Sequence, residues 1–258
     1  MKIATWNVNN VRKRLPQLLE WLARTQPDVV ALQELKTEAG TFPTSELEAA
    51  GYASLVVGQR TWNGVALLSR GFEPIEIRRT LPGDPADRQA RYIEAAINGI
   101  AVACLYLPNG NPVPSPNFDY KLAWFERFNA HARTLLDEGG DVVLAGDFNV
   151  VPTNADIYNA GSWRFDAVLQ PETRDAWQRL LAQGWIDAAR RLHPDERHLY
   201  TFWVNEDAFR RNAGFRMDFL LLSPGLASRL RRSEVDAPHR GRDKPSDHAP
   251  VWIELDDE

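Results

Sequence analysis

Eight short apolar-rich runs constrain this chain more than any other feature: residues 3–8, 29–32, 65–68, 93–97, 100–107, 142–145, 219–222 and 251–255. Runs of that length read as strands. Their continuous character, without polar alternation, calls for a sheet covered on both faces, or two sheets packed together beneath outer helices. The helices are visible between them. Leu15, Leu18, Leu19 and Leu22 recur at helical spacing, with Pro27 just beyond. Leu122, Phe125, Phe128, Ala132 and Leu135 make a second amphipathic stretch that Gly139-Gly140 ends, and a third spans residues 172–182, again before a glycine. All three are expected to cover sheets.

No Pro/Gly/Ser-rich linker or repeat divides the 258 residues, so a single domain over residues 1–258 is expected. Residues 108–117 and 154–171 are long, polar and proline-interrupted, as functional surface loops are. With 44% hydrophobic and 25% charged residues the composition is that of an ordinary globular protein, which argues against disorder. No run approaches the ~20 apolar residues needed to cross a bilayer, so no membrane partner is expected.

The N-terminus shows no charged stretch followed by an apolar run and a cleavage site, and the single cysteine, Cys104, excludes an intramolecular disulfide. A cytoplasmic protein is expected, with Cys104 a buried small hydrophobe. The net charge of −5 argues against non-specific coating of nucleic acid. Arginines nevertheless cluster, at Arg78-Arg79, Arg88 and Arg91, Arg210-Arg211 with Arg216, Arg229 to Arg232, and Arg240-Arg242-Lys244, which allows a local basic face.

Polar residues follow the apolar runs in a repeated arrangement. Asn7 follows the first, Gln33-Glu34 the second and Asp147-Phe148-Asn149 the sixth; Tyr106 closes another, Asp218 opens one, and Asp247-His248 precedes the last. Each alone reads as a turn former or a helix start. Together their chemistry fits phosphodiester hydrolysis, which needs an attacking water and neutralisation of charge on the phosphoryl and leaving oxygens. Glu34 and Asp247 offer hard oxygen ligands suited to Mg²⁺, with Mn²⁺ as the alternative ion, and Asn7 an amide oxygen or a means of orienting a ligand. Asp147 can take a proton from water oriented by Asn149, His248 can stabilise phosphoryl charge with Asp218 behind it, and Tyr106 can donate to a phosphate oxygen. No Ser or Cys nucleophile has a comparable setting.

Through Trp6-Asn7, Leu32-Gln33-Glu34, Gly146-Asp147-Phe148-Asn149 and Ser246-Asp247-His248 the sequence resembles the endonuclease/exonuclease/phosphatase superfamily. A finer resemblance, to the exonuclease III-type abasic-site endonucleases, runs along nearly the whole chain. It rests on Trp6-Asn7-Val8-Asn9, Tyr106-Leu107-Pro108-Asn109-Gly110, Tyr200-Thr201-Phe202-Trp203, Gly214-Phe215-Arg216-Met217-Asp218-Phe219-Leu220-Leu221 and Lys244-Pro245-Ser246-Asp247-His248-Ala249-Pro250-Val251. The resemblance implies a four-layered α/β sandwich, DNase I-like, with two mixed β-sheets packed face to face and flanked by helices.

It further implies a Mg²⁺-dependent DNA repair nuclease that cuts 5′ to abasic sites in double-stranded DNA, with 3′-5′ exonuclease and 3′-end-cleaning activity, acting as a monomer that meets the nucleoid when on DNA. Glu34 and Asp247 would hold the metal with Asn7, and Asp147, Asn149 and His248 are candidates for a second metal. Phe202, Phe215 and Met217 would line an apolar pocket for a base-less deoxyribose, since extrusion costs least where the base is missing. Asn109, Arg91 and Lys121 would contact flanking DNA. Two departures stand out: Asn10, where Gly or Ser is usual, and Glu206, whose charge opposes a phosphate. The competing readings are a phosphatase or phosphodiesterase acting on a lipid or inositol phosphate, and a catalytically silent DNA-binding scaffold.

Overall fold

The computed structural model describes residues 1–256. Its strands are β1 (Lys2–Asn7), β2 (Val29–Gln33), β3 (Tyr52–Val57), β4 (Val65–Arg70), β5 (Ile75–Arg78), β6 (Tyr92–Ile97), β7 (Ile100–Tyr106), β8 (Val142–Asp147), β9 (Ile186–Asp187), β10 (Asp218–Leu222), β11 (Leu230–Val235) and β12 (Val251–Leu255). Its helices are α1 (Val11–Thr25), α2 (Thr44–Ala49), α3 (Pro116–Asp137), α4 (Pro171–Leu181), α5 (Ala188–Leu192), α6 (Glu206–Arg210) and α7 (Ala237–Arg240). Two six-stranded mixed sheets form, ordered β11-β12-β1-β2-β4-β3 and β5-β6-β7-β8-β10-β9.

Side chains that alternate along a strand here meet apolar neighbours on either side, which explains the unbroken runs. Ile3, Val29, Ala31 and Val65 point between the sheets, against Ile93, Val102, Cys104 and Val143 of the other sheet. Ala4, Trp6, Val30 and Leu32 point outward, onto Leu18, Trp21 and Leu22 of α1. On the far side Phe125 and Phe128 of α3 and Trp177 of α4 cover Leu144 and Phe219. The four layers expected from the sequence are therefore present. Cys104 lies between the sheets, and burial pushes its thiol up to about 12.

Local chemistry sets the helix ends. Asn10, at φ 86°, accepts from the Lys13 amide and caps α1, so this position needs a left-handed backbone that Asn tolerates and Gly would adopt freely. Ser115 caps α3 just before Pro116, whose missing N–H costs nothing at a first turn. Four strands carry no continuous apolar run. β3, β5, β9 and β11 are at or next to sheet edges; β5 leaves Ile75 67% exposed and β9 has two residues. Arg231 and Arg232 lie on β11 and pair with Asp256 and Glu234, so that arginine cluster belongs to a solvated edge strand.

Phe148 links the core to the polar turn in which it stands. Its ring packs edge-on against Phe128, Trp177 and Phe219, with centroids 5.9, 5.4 and 5.5 Å away. Phe148→Ala is expected to cost ~3–5 kcal/mol, as core Phe deletions do. Urea unfolding monitored by fluorescence measures it, and a loss below ~1 kcal/mol would show that the cluster does not hold the turn.

Candidate active site

The register of the second sheet aligns three polar side chains. Tyr106 pairs with Asp147 across β7 and β8, and Asp147 pairs with Asp218 across β8 and β10. Gly146 makes the approach of β7 to β8 possible, because a Cβ there would lie 2.0 Å from the Leu105 carbonyl oxygen. In the first sheet β1 runs parallel to β2, so Asn7 and Glu34 emerge at one end. The antiparallel β12 brings His248 back to the same end. Glu34 (φ 52°) and Asn149 (φ 45°) both adopt left-handed backbone directly after strands, a strain that functional turns tolerate when the surroundings fix them.

The polar contacts then interlock. Asn7 Nδ2 donates to Glu34 Oε1 at 2.8 Å and to Asp147 Oδ2 at 3.0 Å, bridging the two sheets. Tyr106 Oη donates to Glu34 Oε1 at 2.9 Å, and Asp147 Oδ1 accepts from the Asn149 amide at 2.9 Å. His248 Nδ1 donates to Asp218 Oδ2 at 2.8 Å, while its Nε2 lies 3.8 Å from Asp147 Oδ2. Asp147, Asp218 and His248 are 1, 2 and 3% exposed, so their charges act through little solvent.

Burial shifts each group. It raises the Asp147 carboxyl, against the opposing pull of the His248 charge. Burial also opposes the imidazolium, but the charge and hydrogen bond of Asp218, with Asp147 and Asp247, outweigh it and push His248 up to about 10. Tyr106 is raised well above its ordinary value by burial and by Glu34, so it stays a hydroxyl donor. The pairing of a buried carboxyl biased toward proton uptake with an imidazolium suits proton abstraction beside an anion.

Glu34, Asp147 and His248 each present one ligand atom within 4.8 Å of the others. The two carboxylates are the hard ligands that Mg²⁺ takes, and His248 could join them only after giving up its proton. Asn7 points its amide nitrogen at the carboxylates, and its Oδ1 accepts from the Asn9 amide at 3.1 Å, an arrangement that suits the orienting role, one of the two expected for it. Asp247 lies outside the cluster: its Oδ1 accepts from Asn9 Nδ2 at 3.0 Å, and Lys36 ties Asn9 back to Glu34.

Lys121 is corrected outright. It is fully buried, donates to the carbonyls of Asn149 (2.5 Å) and Asn109 (3.0 Å), and burial lowers it to about 7, so it secures two loops and cannot touch DNA. Arg91 and Asn109 do line an open cleft of about 510 Å³ beside Tyr106. The Arg91 guanidinium lies 4.8 Å from the Tyr106 ring centroid, and Asn109 Nδ2 donates to Asn149 Oδ1. Asn149 Nδ2 donates to the Leu107 carbonyl, so this side chain is braced on both sides.

Phe202 borders the imidazole, its ring centroid 4.9 Å from that of His248, and Phe215 adjoins Phe202 at 5.5 Å. Met217 lies 5% exposed in the core cluster behind them. Several contributors were given no role from the sequence, although three of them stand inside the motifs that carry the resemblance. Thr201 Oγ1 donates to Asp218 Oδ2 at 2.6 Å, Ser246 Oγ to the Asn7 carbonyl at 2.6 Å, and Trp6 Nε1 to the His248 carbonyl at 3.2 Å. Trp163 stands edge-on to Phe215 at 4.8 Å.

Comparison with known proteins agrees with this geometry. Residues 4–248 match the endonuclease/exonuclease/phosphatase family. Exodeoxyribonuclease III of Haemophilus influenzae is 34% identical over 99% of this chain and all of its own length. An AP endonuclease from Archaeoglobus fulgidus superposes with a TM-score of 0.95 at 35% identity, covering 100% of both chains. A 3′ phosphatase from Neisseria, solved with a product DNA hairpin, gives a TM-score of 0.95 at 39% identity, covering 99% of both chains. Sheets, strand-end carboxylates and relatives thus agree: the chain belongs to the endonuclease/exonuclease/phosphatase family, in its exonuclease III-type AP endonuclease group.

Proposed function

We propose that this protein, as a monomer of one domain in the cytoplasm, hydrolyses the phosphodiester 5′ to abasic sites in double-stranded DNA and trims 3′ ends. The observation that supports it most is the buried Asp147 placed between Asn7, the Asn149 amide and the His248–Asp218 pair. A divalent cation, Mg²⁺ or Mn²⁺, supplies charge neutralisation at the scissile phosphate when bound. Glu34 would hold it, with Asp247 as the further carboxylate at that rim; Asp147, Asn149 and His248 are the candidates for a second ion.

This chain's own groups do the remaining work. Asp147 Oδ2 takes the proton of the attacking water, and the Asn149 amide keeps its other oxygen fixed. Imidazolium at His248 stabilises the charge that develops on the phosphoryl oxygens, Asp218 holding its far nitrogen. Tyr106 turns its hydroxyl from Glu34 to a phosphate oxygen. Phe202 and Phe215, with Met217 behind, offer an apolar wall to a base-less sugar, a surface that an inositol ring with its hydroxyls would not satisfy. The relatives named exodeoxyribonuclease III, AP endonuclease and 3′ phosphatase support DNA as the substrate.

A duplex carrying a stable abasic analogue, a duplex with a 3′-phosphate, and an inositol phosphate, each incubated with Mg²⁺ and with chelator, separate the readings. Incision of the abasic duplex that chelator abolishes is the expected result. Release from inositol phosphate alone, or binding without cutting under any divalent ion, would overturn it.

A further inference from the structure

Many of the clustered arginines are already committed. Arg79 pairs with Glu76, Arg210 with Asp207, Arg242 with Glu20, and Arg216 lies buried between Asp156 and Asp187. Arg14 and Arg240 make no ion pair among the described residues, though Asp247 and Glu206 act on Arg240 from a distance. Both line one cleft of about 620 Å³, together with Asn9, Lys244, Glu206 and Asp247. Because Asn9 donates to Asp247, this cleft abuts the candidate active site, as the Arg91 cleft does beside Tyr106.

The two guanidiniums are held in place and left unsatisfied. Arg240 is 5% exposed, lies 5.5 Å from the Phe209 ring centroid, and makes a single long bond of 3.4 Å to the Trp203 carbonyl. Arg14 donates to the Pro245 carbonyl at 2.9 Å. The Nε of each is buried without a partner. The carboxylates of the cleft offset part of the charge of the two guanidiniums but accept no hydrogen bond from either, so donors remain for a further anion. A planar fork of N–H donors matches a phosphate, and a fixed fork loses little freedom in binding one.

We propose that Arg14 and Arg240 form a subsite for a backbone phosphate of the bound DNA, next along the strand from the one that is cut. This rests on the reading of the protein as a DNA nuclease. Glu206, Asp207 and Asp247 are the opposing charges in the cleft; Glu206 makes no ion pair among the described residues, so it weakens the subsite, and Glu206→Gln should tighten DNA binding.

The test uses the intact chain, chelator to prevent cutting, and the abasic-analogue duplex. Arg14→Gln lowers the slope of log affinity against log salt by about 0.9, the value of one lost phosphate contact. Arg14→Lys, which keeps the charge but not the bond to Pro245, keeps the slope. Duplexes with one methylphosphonate at successive positions locate the contact: the neutral linkage weakens wild-type binding at one flanking position and has no effect there in Arg14→Gln. Arg240→Gln, accepted if its melting temperature is near wild type, repeats the result. Unchanged slopes and purely additive effects at every position, in a protein that cuts abasic DNA, overturn the subsite alone. A wild-type protein that does not bind DNA overturns the functional reading with it.

Discussion

Asp147→Asn is expected to lower kcat on an abasic duplex by about 10³–10⁴-fold, toward the upper end of what general-base catalysis contributes. The change is nearly isosteric and leaves an oxygen that can still accept from a water molecule, yet it removes the capacity to take its proton. An amide oxygen at this position can still accept from the Asn149 amide, so the turn survives. The amide nitrogen, however, meets Asn7 Nδ2, which now donates to Asp147 Oδ2 at 3.0 Å. Asn7 must then turn away, and Glu34 loses one of its two neutral donors.

Folding is expected to respond in the opposite sense. Burial already disfavours the Asp147 carboxylate, so a neutral side chain relieves that cost, and stability should hold or rise by up to about 1 kcal/mol. KM should change little, because the base acts in the transition state and not in binding. Single-turnover rates and urea melts of the purified variant give both readings. A rate within tenfold of wild type would remove Asp147 as the base, and a loss of several kcal/mol would mean that its role is structural.

The parts of this site that were legible in the sequence are those that covalent order fixes. A strand covered on both faces must be apolar throughout, so polar residues mark its ends: Asn7, Gln33-Glu34, Tyr106 and Asp147 at the far ends of their strands, and Asp218 at the start of its own. Convergence was not legible from pattern alone, since it depends on β1 running parallel to β2 and β7 to β8. Edge strands failed the same test for a physical reason: β5 and β11 meet solvent, and nothing obliges them to be apolar.

Burial of charge was the other blind spot. Lys121 occupies a helix that should show lysines to solvent, and no neighbour in sequence announces the two carbonyls that it satisfies. Asp247 was legible as a carboxylate at a strand end, but its contact with Asn9, more than two hundred residues away in the chain, was not. Thr201 stands in a family motif, yet its partners were not readable there. Its hydroxyl donates to Asp218 and accepts from the amides of Met217 and Asp218, contacts that arise when residues 201–203 lie between residues 215 and 248.

Asp218→Asn is expected to change the pH dependence of both activity and stability. In the wild type Asp218 is the principal cause that lifts His248 from 6.5 to about 10 against its burial. A histidine whose pKa is raised on folding contributes stability that is complete below the unfolded value, near 6.5, and is lost as pH rises toward about 10. The wild-type imidazole therefore stays cationic across neutral pH, and its loss of charge should limit the rate only on the far alkaline side. With Asn at position 218 burial prevails and His248 is neutral at pH 7. Its stabilisation of phosphoryl charge is then absent, at a cost of about 10²–10³ in kcat. Thr201 keeps a carbonyl oxygen to donate to, so the chain should fold, weakened by up to ~3–5 kcal/mol at pH 6 and much less at pH 10, where the wild-type pair is itself giving way. Nitrogen-15 resonances of His248, followed by pH titration without divalent cation, should move their midpoint from the alkaline range to below neutrality in the variant. The rate profile should lose its neutral plateau in parallel. A midpoint that stays in the alkaline range would show that Asp218 does not set the charge of His248.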